Sequence, residues 1–226
     1  METSVKVWDW SLRVFHWSLP VLLFLLWFSA TQSENFDAIE HHMLLAQILL
    51  GLMIYRIIWG FIGTPAARFS RFITGPRSWR GYAMSIIRRQ PLAYMGHNPL
   101  GGLMVLVLLG ALSFQLLTGL FTDDDILFSG PLASTASQDT VSWMSSWHRR
   151  FFDWILILIG VHLLAIVFYK LLGEGLVKAM FTGRKPLHDS APDLHKLLPV
   201  PTTFPWIRFC IAVAITAACV GILFYR

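Results

Sequence analysis

Five apolar stretches, residues 12–30, 42–62, 99–121, 151–171 and 205–224, are each long enough to cross the hydrocarbon of a bilayer, which takes roughly 20 residues at about 1.5 Å of rise each. They confine the chain to the all-α class, as an integral membrane helix bundle. Composition agrees, with 55% hydrophobic and 14% charged residues and a mean hydropathy of +0.59, which leaves no room for a large soluble domain. The 10 tryptophans fall near the ends of the apolar runs, where an interfacial belt places them. The opening METSVKVWDWSLR carries acidic and aromatic residues, and no small-residue cleavage pattern follows cleanly. The first run therefore reads as a retained helix and not a removed signal peptide.

Charge alternates along the connections. The first carries Glu34, Asp37 and Glu40, and the third carries Asp123, Asp124, Asp125 and Asp139. The second carries Arg68, Arg71, Arg77, Arg80, Arg88 and Arg89, and the fourth carries Lys178, Arg184, Lys185 and Lys196. The positive-inside rule then puts the N-terminus and both basic connections in the cytoplasm, with the C-terminus on the periplasmic side. The net charge of +5 is explained by this placement and is not a nucleic-acid footprint. Within the second connection, TGPRSWRGYAMSIIRRQPLAY spaces aromatic and basic residues as a short amphipathic helix in the inner interface would. Cys210 and Cys219 lie nine positions apart in the last run and read as small buried hydrophobes, without a disulfide or a CxxCH motif.

Ionisable groups inside a bilayer are costly and are functional candidates by default. His16 lies early in the first run, His42 starts the second, and His148 and His162 belong to the fourth. The fourteen residues between His148 and His162 are close to four helical turns, so the two share a face about 21 Å apart. One metal cannot bind both. The orientation sets His42 at the depth of His148, on the outer level, and His16 nearer the depth of His162, on the inner level. Two imidazoles from different helices are what a six-coordinate haem requires, whereas zinc favours four ligands in a tetrahedron and copper would need further ligands. Singly, each histidine also has a plain structural reading, as a belt residue or a polar residue at a helix start.

Arg56 follows His42 by fourteen residues, so it shares that face and reaches the inner level. It either pairs with an anion such as a haem propionate or snorkels to the surface; Arg13, three residues before His16, has the same two readings. Arg149 and Arg150 sit at the outer end of the fourth run, as snorkelling residues or beside an anionic group. His41 points about 100° away from His42 on a helix, and His97, His188 and His195 fall in cytoplasmic connections, where solvated side chains are expected.

The segments LRVFHW, HHMLLAQILLGLMIYRIIWG, SWH and GVHLLAIVFY resemble the bacterial dihaem cytochrome b family, which includes cytochrome b561 and the b-type cytochrome subunit of nickel-iron hydrogenases. The resemblance covers residues 5–170. It implies a four-helix core holding two haems b, one on His16 and His162 and the other on His42 and His148, in the bacterial inner membrane. It further implies electron exchange between the quinone pool, ubiquinone or menaquinone, and a periplasmic cytochrome or redox subunit. Some members instead oxidise superoxide at the outer surface and pass the electrons to quinone.

The domain organisation expected is a dihaem core over 1–172, a cytoplasmic connection over 173–204 and a fifth transmembrane helix over 205–226, which exceeds the smallest family members and marks either a larger subfamily or a helix that meets a partner subunit; a homodimer is a separate possibility. The outer loop TDDDILFSGPLASTASQDTVSWMSSW could steer a basic partner or be a solvated surface. Gln47, Gln115 and Asp123 to Asp125 are polar candidates for proton traffic. A superoxide oxidase would favour a basic outer approach, which Arg149 and Arg150 supply and the acidic loop opposes. A helical transporter or anchor using histidines for packing is the non-redox alternative.

Overall fold

The computed structural model describes residues 4–32, 36–90, 92–124, 128–187, 190–197 and 203–225. A short strand β1 (Ser4–Lys6) leads into helix α1 (Trp10–Thr31) and then α2 (Phe36–Ile62). A 3-10 turn (Pro65–Ala67), α3 (Phe69–Phe72) and α4 (Pro76–Ile87) precede α5 (Pro99–Leu120). Another 3-10 turn (Ala133–Thr135) leads to α6 (Gln138–Leu171), followed by α7 (Leu176–Thr182), strand β2 (Arg184–Pro186), α8 (Leu194–Leu197) and α9 (Trp206–Phe224). The helices α1, α2, α5, α6 and α9 are long and apolar enough to cross a membrane. The amphipathic segment expected in the second connection is α4, beginning at Pro76 where a proline suits the first turn.

Helix starts follow local chemistry. Asp9 caps α1 by accepting a 2.9 Å hydrogen bond from Leu12 N, and Asn98 caps α5 through Gly101 N at 2.7 Å with Pro99 as the first helical residue. The largest departure from the hydropathy reading is α6, which starts at Gln138, not near 151, and runs for 34 residues. Its added turns are not apolar overall, but Val141 and Ser145 recur at a helical interval and are both buried, while Trp143 and Trp147 face outward. One inward stripe is enough to continue the helix. His148 therefore lies well inside a helix rather than at its start.

The bundle is two helix pairs, α1 with α2 and α5 with α6, with lighter contact between α2 and α5. No comparable shared face joins α1 and α6. One core cluster fills the bundle between the pairs, from Phe15, Leu22 and Leu26 of α1 through Leu49 and Met53 of α2 to Leu112 of α5 and Ile155 of α6. Helix α9 packs outside on α2, with Thr216 and Val220 facing Gly51.

The basic connections are not loose loops. Val7, Trp8, Tyr55, Trp59, Met95, Ala179 and Leu197 form a second core at the end of the bundle that carries the basic connections, the inner end of the sequence-based orientation. The three-residue strands β1 and β2 pair antiparallel, a small exception to the all-α expectation. Gly183 ends α7 at a φ of +75°, a conformation that favours glycine, and its carbonyl accepts from Val7 N at 2.8 Å and Trp8 N at 3.1 Å. Asp193 accepts from Met95 N at 2.8 Å and Gly96 N at 2.7 Å. Lys185 is buried, donating to the Tyr94 carbonyl at 2.7 Å and lying 3.4 Å from Glu174. These contacts fold both connections into a cap over the inner end.

Candidate functional site

At the outer level α2 and α6 carry His42 and His148, whose ring centres are 6.3 Å apart with planes at 88°. His42 Nδ1 lies 3.1 Å from the Leu26 carbonyl and 3.1 Å from Ser29 Oγ, both on α1. His148 Nδ1 lies 3.0 Å from the Gln115 carbonyl and 3.3 Å from Thr118 Oγ1, both on α5. A carbonyl oxygen only accepts, so each ring is assigned its proton on Nδ1. That leaves the Nε2 lone pair of both rings available to a metal. Each helix pair thus braces one imidazole, α1 holding that of α2 and α5 holding that of α6.

Two more features of α5 shape this level. Gln115 also donates from Nε2 to the His148 carbonyl at 2.9 Å, fixing the α6 backbone beside the ring. The His148 ring lies over Gly119, where a Cβ would come within 2.9 Å of His148 Cε1. No side chain larger than hydrogen fits there without moving the ring. Two imidazoles bound to one metal from opposite sides, each with a ring nitrogen about 2 Å from it, hold their centres roughly 6 Å apart. The 6.3 Å separation of His42 and His148 matches that spacing.

At the other level His16 is carried by α1 and His162 by α6. His16 Nδ1 is sealed from solvent without a hydrogen-bond partner, and the ring meets Trp17 edge-on at 5.0 Å. Trp17 in turn stacks on Phe181 of α7 at 4.2 Å, so the cap fixes the helix face that carries His16. Arg56 is 2% exposed, with Nη1 lacking a partner and its guanidinium carbon 4.9 Å over the Phe69 ring. It does not snorkel. Arg13 donates from Nη1 to the Phe181 carbonyl, while its Nε is sealed and unpartnered.

His97 departs from the solvated expectation. Its ring lies between Trp8 at 4.6 Å and Phe72 at 4.7 Å, and its Nδ1 is sealed without a partner. Burial pushes the imidazole down to about 3, with the Arg56 and Lys185 charges and then His16 and His162 acting the same way. Arg56 and Lys185 bring positive charge to this end of the bundle, and the Asp9 carboxylate lies beside Arg56 while accepting from Ser11 Oγ, Leu12 N, Trp59 Nε1 and Thr64 Oγ1. Sealed guanidinium nitrogens on Arg13 and Arg56 fit an anion, because a buried donor without an acceptor costs about 1–3 kcal/mol, and the neutral His97 ring can add a donor in its Nδ1–H tautomer.

The other candidates separate clearly. His41 and His195 are exposed, as expected, and His188 lies outside the described residues. Arg149 and Arg150 are exposed. Asp123 and Asp124 shape their own loop, Asp123 accepting from Ser129 Oγ at 3.1 Å and Asp124 from Phe128 N at 2.9 Å, while Asp125 and Glu34 lie outside the described residues. Asp153, five residues after His148, is exposed. Among the described residues no three of His, Cys, Asp or Glu gather at a metal's distance, so the tetrahedral set that zinc favours is not assembled.

Asp9 and Gly119 lie outside the residues the sequence singles out, and His97 is one for which it predicts a solvated side chain. Asp9 had a usable signal as a capping residue directly before an apolar helix, and His97 stands just before an Asn-Pro helix start. Gly119 had none, because only the packed ring reveals its purpose. A family model described as prokaryotic cytochrome b561 matches residues 7–183, a span that includes all four histidines and stops short of α9. No curated protein and no solved structure matches the chain.

Proposed function

The chain belongs to the prokaryotic cytochrome b561 family and is a membrane-embedded electron-transfer cytochrome b; from that premise we propose that it holds two haems b in series, the outer on His42 and His148 and the inner on His16 and His162. On this reading electrons pass between a membrane quinone, ubiquinone or menaquinone, and a redox partner at the outer surface of the bacterial inner membrane. The basic cap faces the cytoplasm and the C-terminus the periplasm, in keeping with the alternation of charge.

The observation that carries the reading is the outer pair, two imidazoles on separate helix pairs with centres 6.3 Å apart and both Nδ1 atoms at backbone carbonyls. The Leu26 and Gln115 carbonyls hold the Nδ1 protons, orient the rings and raise the basicity of Nε2. Gly119 supplies the space that the His148 ring occupies. Leu22, Leu26, Met53 and Leu112 keep the bundle interior dry, which lowers the local dielectric and lets nearby charges act strongly. At the inner level Arg56, Arg13 and His97 would hold the carboxylate tails of the group, where their unpartnered nitrogens need an anion. Haem b, when bound, would supply one-electron exchange at its iron.

Reduced-minus-oxidised absorption and haem quantitation on the purified chain test the proposal. Two haems per chain are expected, and a chain that binds none sinks it. A second reading, superoxide oxidation linked to quinone, is favoured by one observation, the exposed Arg149 and Arg150 directly after His148. Those cations would draw an anion toward the outer level. Quinone reduction driven by superoxide in the isolated protein, diminished in Arg149→Gln, Arg150→Gln, would support it; no such reduction would leave the carrier reading alone.

A further inference from the structure

Beyond residue 183 the family match ends, and α9 adds a feature unrelated to the histidines. Between the C-terminal end of α2 and the start of α9 lies an open cavity of about 670 Å³, lined on one side by Gly63, Thr64 and Arg68 and on the other by Thr203, Trp206 and Arg208. Among the described residues no acidic side chain lines it.

The two arginines are held toward the same place. Arg68 donates from Nε to the Gly63 carbonyl at 2.8 Å, and Arg208 from Nη1 to the Ile62 carbonyl at 3.5 Å. Both carbonyls terminate α2, where basic side chains are favoured by unsatisfied oxygens and the negative helix end. A guanidinium carries five N–H donors, so each arginine retains several for another acceptor. Burial holds Arg68 below its ordinary range, and repulsion from Arg208 and Arg71 acts in the same direction. An anion between Arg68 and Arg208 would relieve that repulsion. Arg208 itself stands in the first turn of α9, whose N-cap Pro205 offers no side-chain cap, at the end of a helix that favours negative charge.

The position says which anion. The groove stands at the shared end of two membrane-length helices, and its α9 wall continues into a stripe of exposed residues, Ile207, Ile211 and Ile215, spaced at four. Trp206 is 59% exposed at the rim, the depth that an interfacial indole occupies. A phosphate at the arginines with an acyl chain along the isoleucines satisfies both halves of the site. Basic pockets between transmembrane helices recognise acidic headgroups in this way.

We propose that this groove binds one anionic phospholipid, its phosphodiester held by Arg68 and Arg208 and its acyl chain laid along Ile207, Ile211 and Ile215. The test is native mass spectrometry of the full chain in non-ionic detergent with added phosphatidylglycerol, phosphatidylcholine or inorganic phosphate. Phosphatidylglycerol should remain bound in preference to phosphatidylcholine, resist millimolar phosphate, and lose roughly tenfold or more in affinity in Arg68→Gln, Arg208→Gln. Equal retention of phosphatidylcholine, or unchanged affinity in the double variant, overturns the proposal. Displacement by phosphate alone also overturns it, in favour of a small-anion site. A second measurement does not depend on that variant folding: phosphatidylglycerol with brominated chains should quench a fluorescence component that Trp206→Phe removes. Identical quenching in parent and Trp206→Phe proteins would place the lipid elsewhere.

Discussion

His42 and His148 stand 6.3 Å apart, ring centre to ring centre, with planes at 88°, although neither ring is held by its own helix. The Nδ1 of His42 is anchored to α1 and that of His148 to α5. The geometry of the pair thus depends on four helices, and it converts the proposed function into separable outcomes.

His42→Ala and His148→Ala should each remove the same single haem, and His16→Ala and His162→Ala the other. Haem quantitation is expected to fall from about two to about one per chain, a shared bis-histidine iron needing both ligands, and the two groups of variants should lose different spectral components. Loss of one common centre in all four variants would refute two levels.

Gly119→Ala tests the outer level without touching a ligand. The added Cβ would lie 2.9 Å from His148 Cε1, an overpacking that costs about 1–3 kcal/mol, while alanine itself favours helix α5. The variant should fold with unchanged helicity by circular dichroism and lose or loosen the centre that His148→Ala removes. Full occupancy with an unaltered spectrum would show that the ring has freedom the packing denies.

Arg56→Gln removes a buried cation at the inner level. Reduction adds negative charge, which a nearby cation favours, so the midpoint potential of the inner centre should drop by tens of millivolts while the outer one holds. Arg56→Lys should shift it less. Equal shifts in both centres, read by redox titration, would argue against a local role for Arg56.

Asp9→Ala should destabilise the cap and leave the ligands in place. The carboxylate accepts from Ser11 Oγ, Leu12 N, Trp59 Nε1 and Thr64 Oγ1, and stranding buried donors together with a lost helix cap costs about 3 kcal/mol or more. Thermal unfolding in detergent should show a lower midpoint, with Asp9→Asn in between. An unchanged midpoint would mean that the contacts are redundant.

The sequence made the five spans and their alternating charge legible because these rest on hydropathy and composition, which act within one segment, and helix orientation was enough to bring His42 and His148 to one level. The extra turns of α6 escaped because hydropathy averages over Trp143, Ser145 and Arg149, whereas the helix follows the inward stripe of Val141 and Ser145. His97 escaped for a different reason. Its burial is produced by Trp8 and Phe72, from segments distant in the chain, and by a cap whose existence no single stretch announces. Arg56 stood between two readings until tertiary packing decided that it remains inside.

The fourteen-residue interval on α6 also has an electrical meaning. On the proposed two-haem reading, an electron moving between the levels of His148 and His162 would travel about 21 Å along the helix axis, roughly two-thirds of a hydrocarbon layer about 30 Å thick. Such a transfer would be electrogenic. With a membrane voltage of about 100 mV, the step gains or loses roughly 1.5 kcal/mol according to direction, so the energised state of the membrane itself would bias which way current runs through this protein.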